Sequence, residues 1–186
     1  ADKMECQNNT FRYCTSENCW RASGCAIYGG LNNKAHHLLI KDNLEAGLRA
    51  NNAFPGAGFN DEGMHEFSNI TILRCGTNND LYYSPVGAID LSCTDRCGMK
   101  VKNVKFSNID VIDSKNDAID VMRWGGDKYV NLIFENINID GTGKEFPFND
   151  GKNTNANGER GYAMNLRFKP KANVTLCNFT VKNRGG

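Results

Sequence analysis

Two carboxylates occupy the same short phrase: Asp90 in Ala88-Ile89-Asp90-Leu91 and Asp120 in Ala118-Ile119-Asp120-Val121. Looser copies are Ala26-Ile27-Tyr28-Gly29, Ala57-Gly58-Phe59-Asn60 and Ala163-Met164-Asn165-Leu166. In an extended strand alternate side chains face opposite ways. Ile27, Ile89, Leu91, Ile119, Val121, Met164 and Leu166 then point inward, and Tyr28, Asn60, Asp90, Asp120 and Asn165 form an outward column. Strands about 4.8 Å apart would stack Asp90 on Asp120. Glycoside hydrolysis uses two carboxylates about 5–9.5 Å apart, so both aspartates are candidates for acid/base work. The same column, with an aromatic face at Tyr28, also suits sugar binding without turnover. The plainer reading is a pair of solvated carboxylates balanced by Arg123 or a lysine. Arg123, Trp124, Phe59, Asp61 and Glu62 fall where such a groove would have its edges. Asp61-Glu62-Gly63 equally reads as a turn, and Trp20 and Trp124 as packing residues.

The column needs a scaffold that repeats. The leading alanines stand at 26, 57, 88, 118 and 163, in steps of 31, 31, 30 and 45. A near-constant period of this size marks a solenoid. Between these copies runs a second phrase: Asn103 to Val111, Asn131 to Ile139 and Asn173 to Val181, with looser versions at His37–Asp42 and Glu66–Ile72. In it apolar and polar residues alternate on either side of a central asparagine, as a half-buried strand requires. Asparagine tolerates the left-handed backbone of a tight bend, so Asn108, Asn136 and Asn178 read as a stacked corner ladder. His36 and His37 fall on such a strand and are expected to alternate in and out, with a structural role. The expected fold is all-β: a right-handed parallel β-helix of roughly five coils of ~30 residues, at 24–46, 56–75, 86–113, 117–140 and 161–182. Residues 1–186 form one domain, with a polar, turn-rich insert at 146–160 and another loop at 76–86. Little reads as helix, though 43–52 has the composition for a turn or two.

Composition narrows the setting. The 22 basic and 21 acidic residues leave a net charge of +1, which excludes a basic nucleic-acid surface. No apolar run approaches the ~20 residues of a membrane-spanning helix. No cofactor motif is present. Eight cysteines (Cys6, Cys14, Cys19, Cys25, Cys75, Cys93, Cys97 and Cys177) suggest disulfides and an oxidising, extracellular compartment. Their spacing lacks the Cys-x2-Cys signature of zinc sites, so no metal is expected. Glycosylation triplets begin at Asn8, Asn69, Asn173 and Asn178 and point to secretion.

The run Asn9-Thr10-Phe11-Arg12, then Gly24-Cys25-Ala26-Ile27-Tyr28-Gly29-Gly30, Asn33 and His36 to Asn43 resembles the catalytic β-helix of glycoside hydrolase family 87, the α-1,3-glucanases and mycodextranases. The resemblance continues through Ala88 to Leu91, Asp117 to Val121 and Ala163 to Leu166. It implies a polysaccharide partner, with an α-glucan expected, and catalytic aspartates that include a consecutive Asp-Asp pair one coil before Tyr28. No Asp-Asp pair occurs here, so none of the family's catalytic residues is carried over. The expectation is therefore the C-terminal portion of a larger catalytic β-helix, completed by an N-terminal segment or partner chain and supplying groove and scaffold. The alternative is a non-catalytic carbohydrate-binding or fibre-forming solenoid. A pectin lyase or polygalacturonase would share the fold, but it would need a basic groove for an acidic polymer.

Overall fold

Alternating side chains make strands, and the described residues of the computed structural model form eleven of them and no helix. Those residues are 6–19, 23–52, 63–76, 87–93, 101–123, 129–143, 161–166 and 173–184. The strands are β1 (Thr10–Glu17), β2 (Cys25–Ile27), β3 (Lys34–Lys41), β4 (Leu48–Asn52), β5 (His65–Leu73), β6 (Ile89–Cys93), β7 (Val101–Ile112), β8 (Ile119–Arg123), β9 (Tyr129–Thr142), β10 (Met164–Leu166) and β11 (Val174–Arg184). Odd strands stack in the order β1-β3-β5-β7-β9-β11 and even strands in the order β10-β8-β6-β4-β2. Every pairing is parallel. The chain thus passes from one sheet to the other and lies down each time on its counterpart in the previous coil. The fold is a parallel β-helix.

The odd strands bend, and the bend explains their sequence. Tyr13, His37, Asn69, Asn108, Asn136 and Asn178 share one corner, each with φ between 52° and 55°. A residue there resets the alternation: Phe67 is buried, Ser68 faces out, Asn69 turns, and Ile70 is buried again. The expected asparagine ladder forms: Asn108 donates to Asn69 (3.2 Å), Asn136 to Asn108 (2.8 Å) and Asn178 to Asn136 (2.9 Å). The ladder also gives Asn69 and Asn178 a structural reason that requires no glycan.

Inside the coils, like stacks on like. Phe67, Phe106 and Phe134 are fully buried, with ring centroids 5.0 and 4.9 Å apart and planes within 7° of parallel. The ring spacing is the strand spacing, so register alone sets the stack. Ile70, Ile109 and Ile137 form a second column, and Ile72, Val111 and Ile139 a third. Each buried side chain contributes about 1.5–3 kcal/mol by removal from water.

The register corrects three expectations. First, the place between β2 and β6 that the phrase at Ala57 was expected to fill is held by an earlier segment, and residues 57–60 lie outside the described residues. Leu48-Arg49-Ala50 takes that place, because Leu48 pairs with Cys25 on one side and Ile89 on the other. The second coil therefore starts at β4 rather than at 56, and the segment considered for a helical turn contains a strand. The small residue before each even strand is consequently Gly24, Gly47, Ala88, Ala118 or Ala163. A Cβ on Gly24 would run into Ile40 Cγ2, and one on Gly47 into Ile72 Cγ2. The recurrent small residue is a packing requirement. Second, Cys6, Cys14, Cys19, Cys25, Cys75 and Cys177 are free thiols. Cys75 is fully buried and Cys14 and Cys25 pack on the core, where cysteine serves as a small apolar residue. Burial pushes the Cys25 and Cys75 thiols up to about 11, so they are poor nucleophiles. The Cys93 side chain, Cys97 and the 146–160 insert lie outside the described residues. Third, His36 and His37 do not alternate, because the left-handed backbone at His37 turns both toward solvent.

The remaining histidine is structural. His65 is buried. Its Nδ1 accepts from the Asn33 backbone N–H (3.2 Å) and its Nε2–H donates to the Gly30 carbonyl (3.1 Å). That arrangement fits only the neutral ring. Burial lowers its pKa, outweighing the opposing bonds to Gly30 and Asn33. The unfolded chain therefore binds a proton first as pH falls. The His65 contribution is complete above the unfolded pKa of about 6.5 and is lost as pH falls toward the depressed folded value. Urea unfolding at pH 7.5 and pH 5 is expected to show an acid-side loss of stability that shrinks in His65→Gln. An equal loss in both proteins would count against this account.

Candidate functional site

The even strands build the site. Their inward residues, Leu48 and Ala50, Ile89 and Leu91, Ile119 and Val121, are buried in the core. Intervening residues must then face outward. In register these are Ala26, Arg49, Asp90, Asp120 and Asn165. Asp90, Asp120 and Asn165 thus stand one above another as the sequence suggests. Tyr28 lies outward too, but two residues further along, because Cys25 rather than Ile27 aligns with Ile89 through Leu48. Asn60, Asp61, Trp124, Trp20, Phe59 and Glu62 lie outside the described residues, as does the side chain of Arg123.

These carboxylates are not solvated surface groups. Asp90 is 6% exposed and Asp120 2%. Two carboxylates on neighbouring strands repel, and Arg49 supplies the counter-charge. Its Nε donates to Asp90 Oδ2 at 2.8 Å and its Nη1 to Glu45 Oε2 at 2.9 Å. Tyr28 also bonds the guanidinium. Burial alone would lower the Arg49 pKa; Asp90, Glu45 and Tyr28 together outweigh it and hold the pKa above its ordinary value. Arg49 is therefore a permanent cation, and it joins Tyr28 to Asp90 across a strand.

The lower half of the column is held by a third aspartate. Asp117 Oδ1 accepts from the Tyr162 N–H (2.8 Å), and its Oδ2 accepts from Asn165 Nδ2 (2.9 Å). Asp117 is 3% exposed. It fixes the Asn165 amide and so its orientation beside Asp120. Sequence reasoning missed Arg49, Glu45 and Asp117. For Asp117 a signal exists, in Asp117-Ala118-Ile119-Asp120, where a second carboxylate precedes the strand. For Arg49 none exists once Ala57 is taken as the start of the coil.

The arrangement can recognise hydroxyls through carboxylate and amide oxygens, and stack a sugar on Tyr28, which is 36% exposed. Asp90 Oδ2 is already engaged by the Arg49 guanidinium, so that oxygen serves the ion pair. No group of three or more His, Cys, Asp or Glu side chains that could hold a metal forms among the described residues.

No family model matches the chain. No curated protein matches it either. Among solved structures, the crystal structure of the Agl-KA catalytic domain is similar to it, with 37% sequence identity over 96% of the chain and a TM-score of 0.81. The chain spans 30% of that domain's length. The β-helix of this chain is thus similar in fold to part of that domain.

Proposed function

We propose that the protein is a polysaccharide-active β-helix of the α-glucan glycoside hydrolase type, in which the outward face of Tyr28, Arg49, Asp90, Asp120 and Asn165 lines the glycan groove. The observation that carries this reading is the register that stacks Asp90, Asp120 and Asn165, with Arg49 neutralising the first. The 37% identity to a catalytic domain supports it, and so does the family resemblance of the β2 segment. The chain supplies groove and scaffold; hydrolysis requires the aspartate pair that the family carries one coil before β2. Secretion is part of the proposal, since an α-glucan of a cell wall or biofilm is met outside the cell. The Asp90–Arg49 ion pair favours a second reading, binding without turnover.

One experiment tests the glycan binding that both readings require. The purified chain is tested for retention on α-1,3-glucan, dextran and β-1,3-glucan, and for release of reducing ends. Retention on α-glucan is expected, and Asp120→Asn should weaken it by about tenfold, near 1.4 kcal/mol, with unchanged circular dichroism. Reducing-end release would favour hydrolysis within this chain, and retention without release favours groove and scaffold. A folded protein held by none of the α-glucans would overturn the proposal.

A further inference from the structure

The corner ladder is broken at one end of the molecule. Four coils place asparagine there, the residue that takes a left-handed backbone at little cost. The first two coils place Tyr13 and His37, each with φ 55°. Histidine shares some of asparagine's tolerance of that conformation, but a tyrosine is disfavoured in it, and such outliers cluster at functional sites. The two rings lie 5.0 Å apart. His36 joins them, 6.0 Å from Tyr13 and nearly perpendicular to it. The Arg12 guanidinium sits 5.7 Å from the Tyr13 ring centre. Tyr13 is 69% exposed, so burial does not explain the choice of an aromatic residue.

The imidazoles define a pattern. His36 Nδ1 and His37 Nδ1 are 2.8 Å apart. In the neutral pair one Nδ1–H must donate to the other bare Nδ1. The first ring then keeps a bare Nε2 and the second an Nε2–H. The pair therefore offers one ring-nitrogen acceptor and one N–H donor, which hydroxyls of a sugar can meet. The Arg12 guanidinium adds further donors. An aromatic face beside such a donor–acceptor pair suits a neutral pyranose ring.

We propose that Arg12, Tyr13, His36 and His37 form a second saccharide-binding site, on the corner of β1 and β3, that takes a hexose unit of a neutral polysaccharide. It belongs to the other sheet from the Asp90–Asp120 column and would hold the polymer at a second point. The identity of its ligand rests on the polysaccharide reading above.

The test exchanges the unusual residues for the one that the other coils use. Tyr13→Asn and His37→Asn should keep the fold, and Tyr13→Asn should raise Tm by about 2–4 °C through relief of the strained corner. Both should lower affinity for a soluble α-gluco-oligosaccharide at this corner at least fivefold. Titration of the wild-type chain with that oligosaccharide should shift the His36 and His37 imidazole NMR signals, and the shifts should persist in Asp120→Asn. Imidazole signals that stay fixed while the chain still binds oligosaccharide would overturn the corner site alone. A wild-type chain that binds no oligosaccharide would overturn the corner site and the polysaccharide reading together. Loss of stability in both asparagine variants, with binding unchanged, would assign the aromatic residues a structural role.

Discussion

Replacing Arg49 by methionine is expected to destabilise the protein by about 3–5 kcal/mol, because it leaves two buried carboxylates without their cation. The Arg49 side chain is only 15% exposed, and those of Glu45 and Asp90 are 6% and 8% exposed. Methionine fills most of the volume, so the loss is electrostatic rather than a cavity. The pair as a whole contributes much less than this figure, since burying three charged groups costs desolvation that their attraction only partly offsets. A double variant should show it: Asp90→Asn in the Arg49→Met background should recover part of the loss. Urea unfolding of the four proteins gives the coupling energy directly. A penalty below 1 kcal/mol for Arg49→Met would place the network in solvent and remove the reason for treating it as a built site.

The second large effect lies in the core. Phe106→Ala should cost about 3–5 kcal/mol, a large share of the roughly 5–15 kcal/mol that holds a typical domain together. Phe106 lies between Phe67 and Phe134, so its removal opens a void that neither neighbour can fill without leaving its own coil. Leu176 continues the same column, opposite Phe134, but is 48% exposed. Leu176→Ala should therefore cost about 1 kcal/mol or less. Denaturation midpoints of the two variants check the contrast. Equal losses would mean that burial in the stack does not set the cost and would contradict this account.

The odd strands were legible and the even strands only half so, for a physical reason. In Asn103 to Val111 and Asn131 to Ile139 the alternation is unbroken over two short segments, and the asparagine marks the one point where it must reset. Periodicity and turn chemistry there give the same answer. The even strands are three to five residues long, too short for alternation to fix a register. The phrase at Ala57 matched the period, but Leu48-Arg49-Ala50 holds the place between β2 and β6. What fixes the register is the close approach of the second sheet's isoleucines to Gly24 and Gly47, a contact between residues far apart in the chain. For that reason Arg49 was hidden and Tyr28 was placed two residues from its true level. The ladder residues Tyr13 and His37 were hidden differently: composition favours asparagine at a left-handed corner, and a tyrosine there follows no local rule.

Asp90, Asp120 and Asn165 keep their places, and Arg49 and Asp117 explain how so many polar groups can be held at a nearly buried face.

The most direct test of the central claim is a crystal structure of this chain soaked with an α-1,3-linked gluco-oligosaccharide. The account predicts sugar rings on the outward face of the even strands, with hydroxyls bonded to Asp120 and Asn165 and a ring against Tyr28. A fully occupied oligosaccharide bound elsewhere, with that face empty, would contradict it.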